Sequence, residues 1–232
     1  MKTIGMIGGM SWESTRVYYD IVNREVQKRL GGAHSAKVLL YSFDFDEISE
    51  LQRLGRWAEA TERMVDASLA LKRAGADFLM ICCNTMHLMA DAVEEASGLA
   101  LLHIADPLGK KIREDGLSRV GLIGSVFTME DDGIVKGRLA EEYGIATIVP
   151  DKTDGAEIDR VIVEELVCSK FIDSSRGRYR EIMSKLVDAG AQGIVLGCTE
   201  IPLLVKPEDS AVPLYDTTAL HAHAAVDWAL TE

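Results

Sequence analysis

The chain repeats itself at about half its length. Ile4-Gly5-Met6-Ile7-Gly8-Gly9 returns as Val120-Gly121-Leu122-Ile123-Gly124-Ser125, an offset of 116 (120 − 4). Independently, Ala74-Gly75-Ala76 and the apolar run that leads to Cys83 return as Ala189-Gly190-Ala191 and a similar run to Cys198, an offset of 115 (198 − 83). In both copies the order is helix, Ala-Gly-Ala, strand, cysteine. Two separate matches at nearly one spacing imply two related lobes. A weaker echo is a strand ending in Asp106 and another ending in Asp216, each followed by a helix.

Within each copy, short aliphatic runs alternate with amphipathic stretches. Ile4 to Ile7, Val38 to Tyr41, Phe78 to Ile81, Val120 to Ile123, Ala146 to Val149 and Ile194 to Leu196 read as strands. Val17, Tyr18, Ile21, Val22 and Val26 mark a helix that stops at Gly31-Gly32, and Trp57, Ala60, Met64, Ala67 and Leu71 mark another that stops near Gly75. Strands that alternate with helices predict parallel sheets covered on both faces, and near-continuous apolar strands fit that burial. The expected fold class is therefore α/β: two pseudo-symmetric parallel-sheet lobes with the active site in the cleft between them. The first lobe is expected to hold residues 1–105 and 208–232, because the last strand and helix return to it after about Pro207; the second holds residues 106–207.

Ligands of open parallel sheets bind beyond the carboxyl ends of the strands. Cys83-Asn84-Thr85 and Cys198-Thr199-Glu200 both stand at such ends, each with a thiol where a helix N-terminus can lower its pKa. Two opposed thiols are what stereoinversion at carbon requires: one base removes a Cα proton while an acid on the far face delivers another. A single strand cysteine is ordinarily a small hydrophobe; two at matched repeat positions are not so easily explained. Cys82 should face the core if Cys83 does not, since neighbouring strand residues point to opposite faces. Cys168, near a helix end, reads as structural. His87 and His103 flank the Cys83 region and read as structural or capping residues.

The first strand runs into Gly8-Gly9-Met10-Ser11, with Glu13 and Ser14 leading a helix. Two readings stand side by side: glycines and free N–H groups that hold a carboxylate, or a tight strand-to-helix turn. The loop is neither GxGxxG nor a Walker sequence, so no dinucleotide or ATP site is assigned. The matching loop runs from Ser125 to Thr128, where Thr128 either caps a helix carrying Glu130 or touches a ligand.

Composition excludes several classes. The net charge of −12 argues against a nucleic-acid backbone or an anionic membrane as partner, and it means that a carboxylate substrate has to be held by local donors. The N-terminus lacks a signal-peptide pattern and no window reaches bilayer length, so the cytosol is the expected location. The four cysteines lack CxxC spacing and read as free thiols rather than disulfides or zinc ligands. The five histidines form no metal pattern, and His221 and His223, two apart on a helix, diverge.

Gly8-Gly9-Met10-Ser11-Trp12-Glu13-Ser14-Thr15, Cys83-Asn84-Thr85-Met86-His87 and Gly197-Cys198-Thr199-Glu200 together resemble the aspartate/glutamate racemase family, which includes hydantoin racemases, over essentially the whole chain. The resemblance implies an isomerase that needs neither pyridoxal phosphate nor metal, takes a small amino acid as its partner and commonly works as a homodimer. It implies Cys83 and Cys198 as the proton-exchanging pair, and Met10, Gln52, Asn84, Thr85, Thr199 and Glu200 as substrate contacts. Glu200 resembles the aspartate-type branch, where glutamate racemases of cell-wall synthesis carry His. Arg53, beside Gln52, suits a side-chain carboxylate or is a solvated helix charge. The rivals are a hydantoin racemase, a malonate-type decarboxylase, which needs only one protonating thiol, and a Cys-nucleophile hydrolase, for which no His base is paired. A two-lobed binding protein without catalysis is the rival from another class.

Overall fold

The computed structural model describes residues 1–231. Its elements in chain order are β1 (Ile4–Gly8), α1 (Trp12–Leu30), β2 (Val38–Ser42), α2 (Phe45–Arg53), α3 (Trp57–Ala74), β3 (Phe78–Ile81), α4 (Ala90–Ser97), β4 (Leu101–Leu102) and α5 (Ala105–Glu114). The second half continues with β5 (Arg119–Gly124), α6 (Val126–Glu130), α7 (Gly137–Tyr143), β6 (Ala146–Ile148), α8 (Lys152–Glu164), α9 (Asp173–Asp188), β7 (Ile194–Gly197), α10 (Ile201–Leu204), β8 (Leu214–Asp216) and α11 (Thr217–Leu230). They form two four-stranded sheets of one topology, β2-β1-β3-β4 and β6-β5-β7-β8, and every ladder is parallel.

The two offsets of the repeat have a structural meaning. Ile7 pairs with Ile81, and Cys83 stands two residues further on; Ile123 pairs with Leu196, and Cys198 stands two residues further on. The strands of the second sheet are thus in the register of the first, and the single-residue difference between 116 and 115 is lost in the connection. The Ala-Gly-Ala punctuation also serves both copies alike. Gly75 and Gly190 have φ of +97° and +98°, the left-handed conformation that ends α3 and α9 and that a Cβ would strain.

Contacts divide the chain into Met1–Ile104 with the segment from Thr218 on, and Ala105–Thr217. The expected return to the first lobe after Pro207 therefore needs correction. Residues 214–216 stay in the second sheet, paired Ile194↔Leu214, Val195↔Tyr215 and Leu196↔Asp216, because Ile194 and its neighbours offer that strand a fully apolar partner. Only α11 goes back, and its Ala222, Ala225, Val226 and Ala229 join Ile4, Met6, Tyr18 and Phe78 in one core. The strand expected to end in Asp106 is likewise shorter: β4 stops at Leu102, and Asp106 lies in the first turn of α5, where Pro107 is tolerated. Asp106 is held by Arg138 at 2.7 Å and by the Tyr143 hydroxyl at 3.1 Å. Burial on both faces fails for β2, an edge strand whose Leu40 and Tyr41 are exposed.

One polar group is embedded in the first core. His221 of α11 is fully buried; its Nε2 faces the Leu102 carbonyl at 2.9 Å, which can only accept, so Nε2 carries the proton and Nδ1 accepts from the Tyr18 hydroxyl at 3.1 Å. Burial, reinforced by the neighbouring His87, pushes its pKa from 6.5 down to about 3. An unfolded chain protonates this ring near 6.5, so its contribution is complete above that pH and drains as pH falls toward 3, by about 1.4 kcal/mol per unit. Between pH 7 and pH 5 this residue should remove about 2 kcal/mol of stability. Urea unfolding at the two pH values should show a smaller drop for His221→Gln than for wild type; an equal drop contradicts the assignment.

Candidate functional site

Each sheet carries its cysteine at the carboxyl end of its third strand. In the first, the Cys82 N–H donates to Ile7 O at 2.8 Å and carries the ladder one residue past β3. The two adjacent thiols then part as strand alternation demands. Cys82 is buried in the core shared by α1 and α11, and this desolvation drives its thiol pKa far up, so it stays protonated and inert. Cys83 is half-buried and packs on the opposite face, against the cluster that contains Met10, Ile81 and Met86. The chain next enters a 3-10 turn, Thr85–Met89, with the His87 N–H donating to Asn84 O at 3.0 Å.

This end of the first sheet gathers most of the residues that the sequence singled out. Asn84 and Thr85 are buried on the turn after the thiol, and Met10 is buried in the cluster on which Cys83 packs. Gln52, near the end of α2, donates from Nε2 to the Met86 sulfur at 3.0 Å, which brings it to the cysteine turn. Arg53 does not follow it: its side chain is 71% exposed and faces Glu50 at 3.8 Å.

The glycine loop favours the tight-turn reading. The Gly9 N–H, a candidate ligand donor, donates to Thr15 Oγ1 at 2.9 Å, and Thr15 Oγ1 donates in turn to Ser11 O at 2.7 Å. Ser11 Oγ accepts from the Ser14 N–H at 3.5 Å and caps α1. The close neighbours that these glycines permit belong to the protein: Thr15 beside Gly8, and the backbone of Phe43 beside Gly9.

In the second sheet, β7 ends with Gly197 in register with Gly124 of β5. A Cβ on Gly124 would stand 2.8 Å from Gly197 O, so the pair lets the strands close up where Ser125 and Cys198 leave them. Cys198 is half-buried and packs against the core of α8 and α9. Its thiol donates to Glu200 Oε2 at 3.0 Å, and the same oxygen accepts from Thr199 Oγ1 at 2.9 Å. Both Thr199 and Glu200 are buried, so these hydrogen bonds are held out of bulk solvent. Here the sequence expectation for Thr128 needs correction. Ser125 is the cap of α6: its Oγ accepts from the Thr128 N–H at 3.4 Å and lies 3.1 Å from the Thr128 hydroxyl. Sequence reasoning also missed Asp159 of α8, whose carboxylate accepts from the Val126 N–H at 2.9 Å; a contact 33 residues distant leaves no local signal.

The remaining candidates are dispersed. Cys168 is exposed on a turn after α8 and packs in no core, contrary to its structural reading. His223 lies 3.7 Å from Glu25 at the surface while His221 is buried, so the two diverge as expected. Among the described residues, no group of three or more His, Cys, Asp or Glu is placed to hold a metal ion, and no helix is long and apolar enough to cross a membrane.

Comparison with known proteins matches this arrangement. The chain is 49% identical to an Asp/Glu racemase candidate from Yersinia pestis, with a TM-score of 0.92 and all of both chains covered. An aspartate racemase homologue from Pyrococcus horikoshii is 30% identical with a TM-score of 0.84, again over all of both chains. A broad specificity amino-acid racemase of Bacillus subtilis is 21% identical over 229 residues, 96% of each chain. The family described as Asp/Glu/Hydantoin racemase matches residues 7–225, and this chain belongs to that family.

Proposed function

We propose that the protein is a cofactor-independent amino-acid racemase that interconverts L- and D-aspartate, or glutamate, through Cys83 and Cys198. The observation that carries the reading is the register equivalence of the two thiols, each two residues beyond the matched strand pair at the end of its sheet. Both thiols are also only half-buried, unlike Cys82, and a reaction that exchanges protons on two faces of one carbon is well served by two acids at equivalent positions.

In this mechanism the thiolate of one cysteine takes the Cα proton and becomes a thiol. The electron pair left on carbon is stabilised by donors around the substrate carboxylate, a role that suits the Asn84 amide and the Thr85 hydroxyl, while Thr199, whose proton goes to Glu200, offers the substrate an acceptor. The other cysteine gives its proton to the opposite face and becomes the thiolate, so one turnover exchanges the protonation states of the pair. The hydrogen bond from the Cys198 thiol to Glu200 supports Cys198 as a proton donor, with Cys83 as the base in that direction and the roles exchanged in the other. Met10 and Gln52 border the Cys83 side of the substrate. Arylmalonate-type decarboxylation, which needs a single protonating thiol, would leave the second cysteine without a role.

The aspartate preference rests on Glu200 and on likeness to the Pyrococcus horikoshii protein. The Bacillus subtilis relative, with its broad specificity, favours a second reading in which several amino acids turn over. Chiral chromatography after incubation of the protein with each L-amino acid, without added cofactor, decides between them. Aspartate or glutamate should racemise fastest; racemisation of a neutral amino acid at a higher rate selects the broad reading, and inertness toward all of them overturns the proposal.

A further inference from the structure

We infer that His87 is a positioning residue for Cys83, an imidazole strut that ties the peptide carrying the thiol to the end of the neighbouring strand. The inference rests on the reading of Cys83 as a proton-exchanging thiol. His87 is buried, and both of its ring nitrogens are committed to backbone groups. Nδ1 lies 2.8 Å from the carbonyl of Cys83 itself, and Nε2 accepts from the Ile104 N–H at 3.1 Å. A carbonyl only accepts and an amide N–H only donates, so the ring has one workable state: neutral, with its proton on Nδ1. A capping histidine would satisfy one group; this one joins Cys83, four residues before the ring, to Ile104, 17 residues after it.

The place where the strut stands explains why it is needed. β4 has two residues and gives β3 only the pairs Leu79↔Leu101 and Met80↔Leu102. On that side the ladder ends before Cys83 leaves the sheet, so no strand pairing with β4 fixes the Cys83–Asn84 peptide. The imidazole supplies the missing bridge. It is itself confined, with ring centroids 4.6 Å from His103 and 5.7 Å from His221, and His221 donates to Leu102 O at 2.9 Å from the α11 side. Two histidines thus hold the end of β4 at Leu102 and the turn after it at Ile104, and one of them passes that restraint to the Cys83 carbonyl. A thiol displaced by about 1 Å from its proton-transfer position loses on the order of 10²-fold in rate.

Two polar replacements separate the two hydrogen bonds. His87→Asn places an amide nitrogen where Nδ1 stands and keeps the donor to Cys83; His87→Gln places its oxygen where Nε2 stands and keeps the acceptor for Ile104 while releasing Cys83. In deuterium oxide, Cα–H exchange is measured for each enantiomer of the best amino-acid substrate, the enantiomer served by Cys83 being the one that still exchanges in Cys198→Ser. His87→Gln should lower exchange of that enantiomer by roughly tenfold or more and leave the other within about twofold, and His87→Asn should recover most of the loss. Equal losses for both enantiomers, or none, overturn the inference. A second readout is independent of the racemase reading: iodoacetamide labelling followed by peptide mass spectrometry. Cys83 should be alkylated several-fold faster in His87→Gln than in wild type with Cys198 unchanged; identical labelling of Cys83 in the two proteins overturns the inference as well. If wild type exchanges no amino acid at all, the functional reading falls, and the labelling still decides whether His87 holds Cys83 in place.

Discussion

Replacing either Cys83 or Cys198 by serine should lower racemisation by roughly 10³-fold, because a hydroxyl neither carries the negative charge of a thiolate at neutral pH nor gives up its proton as readily. The loss has to be equal in both directions, since the enantiomers have equal free energies and kcat/KM cannot fall for one and persist for the other. Proton exchange escapes that constraint. Each variant keeps one competent base, so each should still wash solvent deuterium into one enantiomer, and the two variants should do so for opposite enantiomers. Cys82→Ser is the internal control: its thiol lies in the core with its pKa raised by burial, and its replacement should leave both exchange rates nearly unchanged while it costs some stability. Proton NMR of the Cα signal in deuterium oxide reads all three. Loss of exchange for both enantiomers in both cysteine variants contradicts independent bases, and full racemisation in either removes that cysteine from the chemistry.

The largest effect on stability is expected at Gly9. Its φ is +84°, and a Cβ there would overlap the backbone N and O of Phe43, groups that cannot swing aside as a flexible side chain does. Phe43 is tied to the same place by its own N–H, which donates to Gly8 O at 3.0 Å. Gly9→Ala should therefore cost roughly 3–5 kcal/mol, backbone strain and overpacking together. That is a large share of the stability of an ordinary domain. Gly55 offers the comparison: φ is +65° but nothing stands within 4 Å of its Cβ position, so Gly55→Ala should cost only about 1 kcal/mol. Denaturant midpoints of the two variants check this, and similar losses would mean that contact with Phe43 is not what requires glycine at position 9.

Much of the fold was legible because the repeat carries register as well as topology. Matching Ile4 to Val120 and Cys83 to Cys198 was enough to expect two sheets of one kind, and the ladders Ile7↔Ile81 and Ile123↔Leu196 place both cysteines alike. Helix ends were legible for a local reason: Gly31 and Gly75 close α1 and α3 where the apolar period stops. What escaped depends on partners far along the chain. The segment Leu214–Asp216 reads as a strand, but only the neighbouring edge of β7 decides which sheet takes it. The Gly8-Gly9 pair suits a ligand cradle and a tight turn equally until Phe43 and Thr15 are seen to fill the space. His87 has an ambiguous sequence context for the same reason, since the Ile104 N–H that gives its ring a second partner lies in the turn two residues past β4. Of the candidate contacts, Met10, Gln52, Asn84 and Thr85 come to the Cys83 end of the first sheet, and Thr199 and Glu200 flank Cys198 in the second.

The central claim is that two different groups exchange the proton, and one experiment in deuterium oxide addresses it directly. Wild-type protein is incubated with protiated L-aspartate, and separately with L-glutamate, without added cofactor. The deuterium content of both enantiomers is then measured at low conversion. With one thiol removing the proton and another delivering deuterium from the opposite face, the D-enantiomer should carry deuterium at Cα from its first appearance while the remaining L-enantiomer stays protiated. A single base that serves both faces would return the original proton to part of the product, so D-enantiomer that still carries protium at Cα would contradict the account.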